Sequence, residues 1–310
     1  MKKIIIVLTT IFLITGIISC GTAQKATPKA TVTTDNNSIF PMTIKDSYDR
    51  EVRIEKEPLK IVSLAPNITE TIFAIERGDR LVGRTDYCDY PAEAAKIESI
   101  GSLQTPSIEK IAGLKPDLVI ASTHFSKDTL KKLEELGITT VILYGEENFD
   151  GAYETISKVG QILNSEKKTD SIIADMKLKV AKVKKNVEGK DKPSVYYVVG
   201  YGKSGDYTAG KKTFIGQLIE MAGAKNAADD IDQWKYSLEK LIEKNPDIMI
   251  CPVNVGYKQG LESTNGYKNL IAVIEGKLYE FDQNLIERQG PRLADGLVEM
   301  AKIIHPEAMK

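Results

Sequence analysis

The sequence predicts an α/β fold built as two halves joined by a helical connector. Three observations carry this. Short apolar strands alternate with helices on both sides of a stretch, residues 149–187, that has helical period and no strand signal. A pattern over residues 107–120, SIEKIAGLKPDLVI, returns over residues 237–250 as SLEKLIEKNPDIMI, so one supersecondary unit occurs in each half. The length of 310 residues, 42% hydrophobic and 27% charged, exceeds one comfortable core and favours two lobes of ~120–150 residues. The same composition excludes disorder, collagen-like repeats and a multi-span membrane protein. Lys+Arg 42 against Asp+Glu 43 gives a net charge of -1, without the basic surface a nucleic-acid partner requires.

Taken in order, residues 40–54 (FPMTIKDSYDREVRI) read as a hairpin turning near Asp46 and Asp49. Residues 60–64 form a short apolar strand, broken by Ala65, Pro66 and Asn67; Asn67 or Thr69 then caps a helix over 70–76. Residues 81–83, 118–121 and 140–143 are further strands, with a helix over 127–136 ended by Gly137. Such alternation argues for a parallel sheet covered on both faces. Within 149–187, Ile156, Val159, Ile162 and Leu163 form one apolar stripe. Ile172, Ile173, Met176, Val180 and Val183 form another, with a break at Asn164 and Ser165. The second half restarts with a strand over 194–199, a helix over 214–221, strands at 247–250 and 278–281, and a closing helix over 292–304. The lobes are therefore 39–148 and 188–310.

In each copy of the repeat a serine, Ser107 or Ser237, caps a helix, and Glu109 or Glu239 falls in its first turn. Carboxylates there are favoured by the helix dipole. They also place one acidic residue on each lobe, a docking pair for a two-subunit partner. Both readings stand on the repeat alone.

The chain starts with Lys2 and Lys3, then residues 4–18 carry no charge. That run is shorter than the ~20 residues of a membrane span and fits a signal-peptide core. Ile17-Ile18-Ser19-Cys20-Gly21 resembles the bacterial lipobox, with Ile17 at the usual leucine position. The resemblance implies cleavage before Cys20 and a lipid on its sulfur, which places the protein on the extracytoplasmic face of the cell membrane. Residues 21–38 (GTAQKATPKATVTTDNNS) have no apolar period and read as a flexible tether. Cys88 and Cys251 lie in different halves and read as free, buried thiols, a bridge between them being the alternative.

Catalytic patterns are weak. GYGKSG over residues 200–205 has the glycine spacing of a dinucleotide loop, but more loop follows it where a helix must open. Two histidines and three cysteines do not make a zinc site rich in those ligands. His124 follows the 118–121 strand at its carboxyl end, where open α/β sheets bind ligands. It is either a ligand-facing residue or a solvated loop histidine. No nucleophile–base constellation is present, and the chain reads as a non-enzyme without a resident cofactor.

IVSLAPNITE (61–70), VGRTDYCDYP (82–91) and the repeats carrying Glu109 and Glu239 resemble the substrate-binding proteins of ABC importers for cobalamin, iron–siderophores and haem. The similarity runs from about residue 58 to 307. It implies two Rossmann-like lobes bridged by a long helix, with the ligand cleft between them and modest closure. It implies a monomer that meets an ABC permease dimer with its ATPase, Glu109 and Glu239 docking onto permease arginines. DYCDYP (86–91) and ERQGPR (287–292) resemble the cobalamin-binding branch. By that resemblance Tyr87 lines the cleft, Arg288 faces it, Tyr207 packs on a corrin ring and Trp234 is another cleft aromatic. Trp234 is one residue out of step with Glu239, and Leu103 and Ser122 stand where the family has two tryptophans. A ferric siderophore or haem is therefore the alternative ligand, and His124 can contact a metal centre in any of them. A surface sensor or a chelate-processing enzyme on the same fold is the remaining alternative.

Overall fold

The computed structural model describes residues 39–202, 205–253 and 255–310. The leader, Cys20 and the tether lie outside the described residues. The fold opens with the expected hairpin, β1 (Met42–Lys45) against β2 (Glu51–Ile54). Its turn is tied to the lobe by buried Asp46, which accepts from the backbone N–H of Tyr48, Arg50 and Ile142 and pairs with the Arg50 guanidinium.

Four strands then form a parallel sheet: β3 (Ile61–Ser63), β4 (Leu81–Arg84), β5 (Leu118–Ala121) and β6 (Thr140–Ile142), in the order β4-β3-β5-β6. β3, β5 and β6 are buried at every position, Ser63 and Thr140 included, as in a sheet covered on both faces. The N-terminal lobe's helices are α1 (Pro66–Ala74), α2 (Ile108–Leu114) and α3 (Lys127–Glu135). α1 starts earlier than expected. Pro66 opens it, Ala65 is its N-cap without a side-chain bond, and Asn67 and Thr69 lie inside it. Proline's fixed φ and missing N–H suit a first turn, so the apparent break is the start. Thr69 Oγ1 donates instead to Ser63 Oγ at 2.8 Å.

The connector is α4 (Phe149–Ile162) and α5 (Glu166–Val187), separated at Asn164, whose φ is 50°. α5 is the long helix, with 22 residues. α4 belongs to both lobes: Phe149, Ala152 and Ile156 join the C-terminal core, while Val159 and Ile162 join the N-terminal one. The two helices approach closely at Gly160, where a Cβ would lie 2.3 Å from the Thr169 side chain.

The C-terminal lobe holds β7 (Ser194–Gly200), β8 (Asp206–Thr208), β9 (Lys225–Asn226), β10 (Lys235–Tyr236), β11 (Ile248–Pro252) and β12 (Leu278–Phe281). The order is β10-β8-β7-β11-β12, with β9 beside the start of β7. β7, β11 and β12 run parallel; β8 is antiparallel to β7, and β10 is antiparallel to β8. The expectation of loop over 206–210 is corrected here. The glycine-rich stretch turns β7 back into β8, with Gly202 and Gly205 at φ 100° and 98°, conformations that glycine adopts without strain. The lobe's helices are α6 (Phe214–Met221), α7 (Leu238–Lys244), α8 (Tyr257–Ser263), α9 (Ile271–Ile274), α10 (Asn284–Glu287) and α11 (Leu293–Ile304).

The repeated sequence has one structure, twice. Ser107 and Ser237 accept from the N–H of Lys110 and Lys240, each at 3.3 Å. Each helix ends in a left-handed residue, Lys115 or Asn245. An aspartate then fastens the neighbouring strand. Asp117 accepts from the N–H of Leu59 and Lys60, just before β3, at 3.0 Å each. Asp247 accepts from the N–H and hydroxyl of Ser194, the first residue of β7, at 2.8 Å each. Burial opposes the Asp117 charge, but its N–H donors and the Lys56 ammonium outweigh it and hold the carboxyl below its ordinary value. The Ser194 bonds lower that of Asp247.

Across the lobes the main polar junction is one buried carboxylate. Glu70, on α1, accepts from Arg292 Nε at 2.8 Å and Nη2 at 2.7 Å. It accepts also from Arg288 Nη1 at 3.0 Å. Arg288 further reaches Asp89 Oδ1 at 2.6 Å and the Tyr87 carbonyl at 3.2 Å. The Arg292 guanidinium lies 3.7 Å from the centroid of the Tyr90 ring. The backbones also come near each other here, a Cβ on Gly290 meeting Asn67 Cα at 3.4 Å.

Two outcomes are expected. Glu70→Ala leaves two half-buried guanidiniums short of their carboxylate and should cost ~3–5 kcal/mol in chemical denaturation; a loss below about 1 kcal/mol would place the lobe arrangement on other contacts. Asp117 and Asp247 have lowered folded-state pKa values, so their stabilisation is complete above the unfolded value of 3.8 and is lost as pH falls through the folded ones. The Asp117→Asn/Asp247→Asn double variant, which keeps acceptor oxygens but not the charge, should lose less stability below about pH 4 than the parent; parallel acid limbs in the two stability–pH curves would refute this.

Candidate functional site

A cavity of about 370 Å³ lies between the lobes, and the carboxyl ends of the N-terminal strands supply most of its wall. β3 leads into Ala65, Pro66 and Asn67; β5 leads into Ser122, Thr123 and His124; β6 leads into Tyr144 and Gly145. The C-terminal lobe contributes Asn284, Glu287, Arg288 and Gln289 from α10 and the turn after it. A second hollow of about 340 Å³ shares Tyr87, Leu103 and His124 with the first.

Three wall residues, Tyr87, Tyr144 and His124, are fixed by their surroundings. Tyr87 has its side of the loop fixed by Arg288 on its carbonyl and by buried Cys88, whose Sγ lies 3.2 Å from Thr85 Oγ1. Its ring remains 58% exposed. Tyr144 is locked to the hairpin turn: Ser47 Oγ donates to its carbonyl at 2.7 Å, and the Tyr144 hydroxyl donates to the Ser47 carbonyl at 3.2 Å. His124 sits at φ 63°, a left-handed conformation that costs a non-glycine residue roughly 1–2 kcal/mol. The tight turn after β5 imposes it and lets Ser126 cap α3, accepting from Thr129 N–H at 3.0 Å.

The electrostatics of the wall are set by which charges are already paired. Arg288 is only 12% exposed and is engaged by Glu70 and Asp89. Glu147 and Glu287 line the cavity without an ion pair among the described residues. Desolvation, with repulsion from Asp282, raises the Glu287 carboxyl above its ordinary value against the pull of Arg288. Cys88 and Cys251 are free and buried, and burial pushes both thiols up, that of Cys251 to about 11. They pack rather than react.

Of the residues expected at the site, the structure brings Tyr87, His124 and Arg288 to one cavity. Tyr207 and Trp234 are not in its lining. Tyr207 is on β8, paired with Lys235 of β10, and the Trp234 carbonyl accepts from Thr208 N–H at 2.7 Å. Both side chains are partly exposed, Tyr207 on β8 and Trp234 just before β10. Glu109 and Glu239 are exposed in the first turns of α2 and α7 and have no ion pair among the described residues. Sequence reasoning missed Glu70, Asp89 and Arg292. Glu70 left a signal: a carboxylate between Ile68 and Ile72, on a helix whose neighbours are buried, needs a cation. It also missed Tyr144 and Glu147, which carry no motif, and Glu287, which opens the ERQGPR segment without an assigned role.

Comparison with known proteins accords with this geometry. A family model described as periplasmic binding protein matches residues 61–285, across both lobes. The chain is 34% identical over 304 residues to an uncharacterized ABC transporter substrate-binding lipoprotein of Bacillus subtilis (strain 168), covering 96% of each chain. It is 28% identical over 284 residues to a cobalamin-binding protein of Halobacterium salinarum, covering 87% of this chain and 76% of that one. The crystal structure of a possible iron-binding (periplasmic solute-binding) protein from Staphylococcus epidermidis matches with a TM-score of 0.71 at 28% identity, over 81% of this chain and 100% of that one. Two α/β lobes, a cavity between them at the strand ends and a match spanning both lobes lead to one conclusion: the chain belongs to the periplasmic binding protein family and is a substrate-binding protein of the ABC importer class.

Proposed function

We propose that the chain is a lipid-anchored, extracytoplasmic carrier that captures a corrinoid between its lobes and hands it to an ABC permease. One observation carries the choice of ligand. Among the described residues, the only guanidinium in the cavity lining is already paired with carboxylates, and the carboxylates and imidazole left on the wall are Glu147, Glu287 and His124. Such a wall accepts a ligand fringed with carboxamides and carrying no net negative charge, which describes a corrinoid. Haem brings two propionates, and many ferric chelates bring net negative charge, to a wall that has no free cation for them among the described residues. The cobalamin-binding relative supports the same choice. The alternative, a ferric siderophore or haem, is favoured by the iron-binding relative and by Leu103 and Ser122 in place of family tryptophans.

In this reading Tyr87 offers a ring face to the ligand, an interaction of large area and low entropy cost. Tyr207 and Trp234 meet ligand that extends beyond the cavity. His124 approaches the metal. Cys20 carries the lipid, and residues 21–38 give the lobes reach. Glu109 and Glu239, one per lobe, set register on the two permease subunits. Exposed pairs of this kind contribute little affinity singly and act mainly on orientation and on-rate. The family and the relatives that the chain matches are binding proteins, which supports binding without turnover.

Titration of the chain lacking residues 1–20, followed through its single tryptophan and by calorimetry, tests the ligand. Saturable binding of cobalamin or cobinamide at micromolar or tighter Kd is expected, and Tyr87→Ala should weaken it about tenfold. Binding of haem or a ferric siderophore without corrinoid binding would overturn the ligand. The Glu109→Arg/Glu239→Arg variant should bind corrinoid with unchanged Kd yet abolish uptake in cells; undiminished uptake would sink the docking role and favour a sensor.

A further inference from the structure

The junction of the lobes holds two arginines and two carboxylates, and the four are not equivalent. Glu70 is buried and is satisfied by the two-pronged approach of Arg292 alone. Arg292 does not line the cavity, but Arg288 does. Arg288 has only a 3.0 Å share of Glu70, whereas its 2.6 Å contact is with Asp89. Asp89 stands on the same loop as Tyr87, is 62% exposed and is not itself part of the cavity lining. With Asp89 present the quartet is neutral. Without it the quartet carries one positive charge, and the residue that bears it faces the ligand space.

From this geometry we infer that Asp89 is a specificity-determining residue, one that acts through Arg288: by cancelling the arginine's charge at the cavity wall it turns away anionic ligands and leaves the site to neutral or cationic ones. The inference rests on the reading of this cavity as the ligand site. Arg288 is largely withdrawn from water, so a change in its net pairing is felt strongly by a group placed against it. The hydrogen bond from Arg288 holds the Asp89 carboxyl below its ordinary value, which keeps the countercharge in place at neutral pH. Glu287, on the other side of Arg288 along the chain, adds further negative character to the wall. Asp89 is exposed and its pairing contributes little to folding. Asparagine at this position retains an oxygen that accepts from Arg288, so the loop stays fastened while the charge is removed.

The test compares ligands of one shape and different charge on the full chain purified in detergent. Cobinamide carries carboxamides around the corrin ring, cobyrinic acid carries carboxylates there, and haem supplies an unrelated dianion. The parent chain should bind cobinamide at least tenfold more tightly than cobyrinic acid. Asp89→Asn should bind cobyrinic acid and haem at least tenfold more tightly than the parent does, with cobinamide affinity within twofold. Asp89→Glu should behave as the parent, and Arg288→Gln added to Asp89→Asn should remove the gain. Equal affinities of Asp89→Asn and the parent for both anionic ligands would overturn the inference, as would a parallel change for all three ligands. A parent chain that binds no corrinoid defeats the proposed ligand separately; the haem affinity of Asp89→Asn against the parent then decides the role of Asp89.

Discussion

One carboxylate organises the junction on which the binding cavity depends. Glu70 is buried on α1, and a buried charge is tolerated only when it is paired and hydrogen-bonded. Its partners, Arg288 and Arg292, arrive from the other lobe, about 220 residues later in the chain. The first turn of α1 also carries Asn67 to the cavity, and the turn holding the two arginines follows Glu287 on α10. A single ionic cluster therefore sets the spacing of both cavity walls. Replacing such a cluster by apolar residues is often no less stable in other proteins, so its value here lies in selecting one relative placement of the lobes.

Each lobe reaches that junction by the same construction. A serine-capped helix, a left-handed end residue, a proline and an aspartate lead into a central strand, and the aspartate fastens the neighbouring parallel strand by its backbone N–H groups. Glu109 and Glu239 occupy matching places in the two copies because the local structure repeats, not because of any contact they make within the lobes. The hairpin at the start of the fold has a comparable supporting part. Ser47 at its turn fixes Tyr144, and Asp46 fixes the N–H of Ile142 on the last N-terminal strand.

Much of this was legible in the sequence. Buried strands declared themselves as apolar runs at 118–121 and 248–250 and as Ile61-Val62 ahead of Ser63, and the repeat located both serine-capped helices. Local signals failed where tertiary contacts decide. β8 is three residues long, so it lacks any period, and only pairing with β7 and β10 makes it a strand. Pro66 looked like a break because its role as a helix opener depends on the strand that precedes it. At the site, Tyr87, His124 and Arg288 lay within recognisable segments and share a cavity. The carboxylates that hold Arg288 also lay in such segments, 61–70 and 86–91, but their role was not legible, since nothing local joins position 70 or 89 to position 288. Tyr207 and Trp234 were placed by resemblance to segments whose backbone path, a hairpin and a two-residue edge strand, was not anticipated.

The course of α4 has a consequence for how the molecule yields. Its first turns are packed in one core and its last turns in the other, and α5 presses against it where Gly160 admits Thr169. Neither lobe can melt without stripping part of the other's interior, so the two should unravel as one cooperative body, with amides in the middle of α4 among the slowest to exchange. The same stiffness limits travel. A spine shared by two cores resists a wide hinge swing between them.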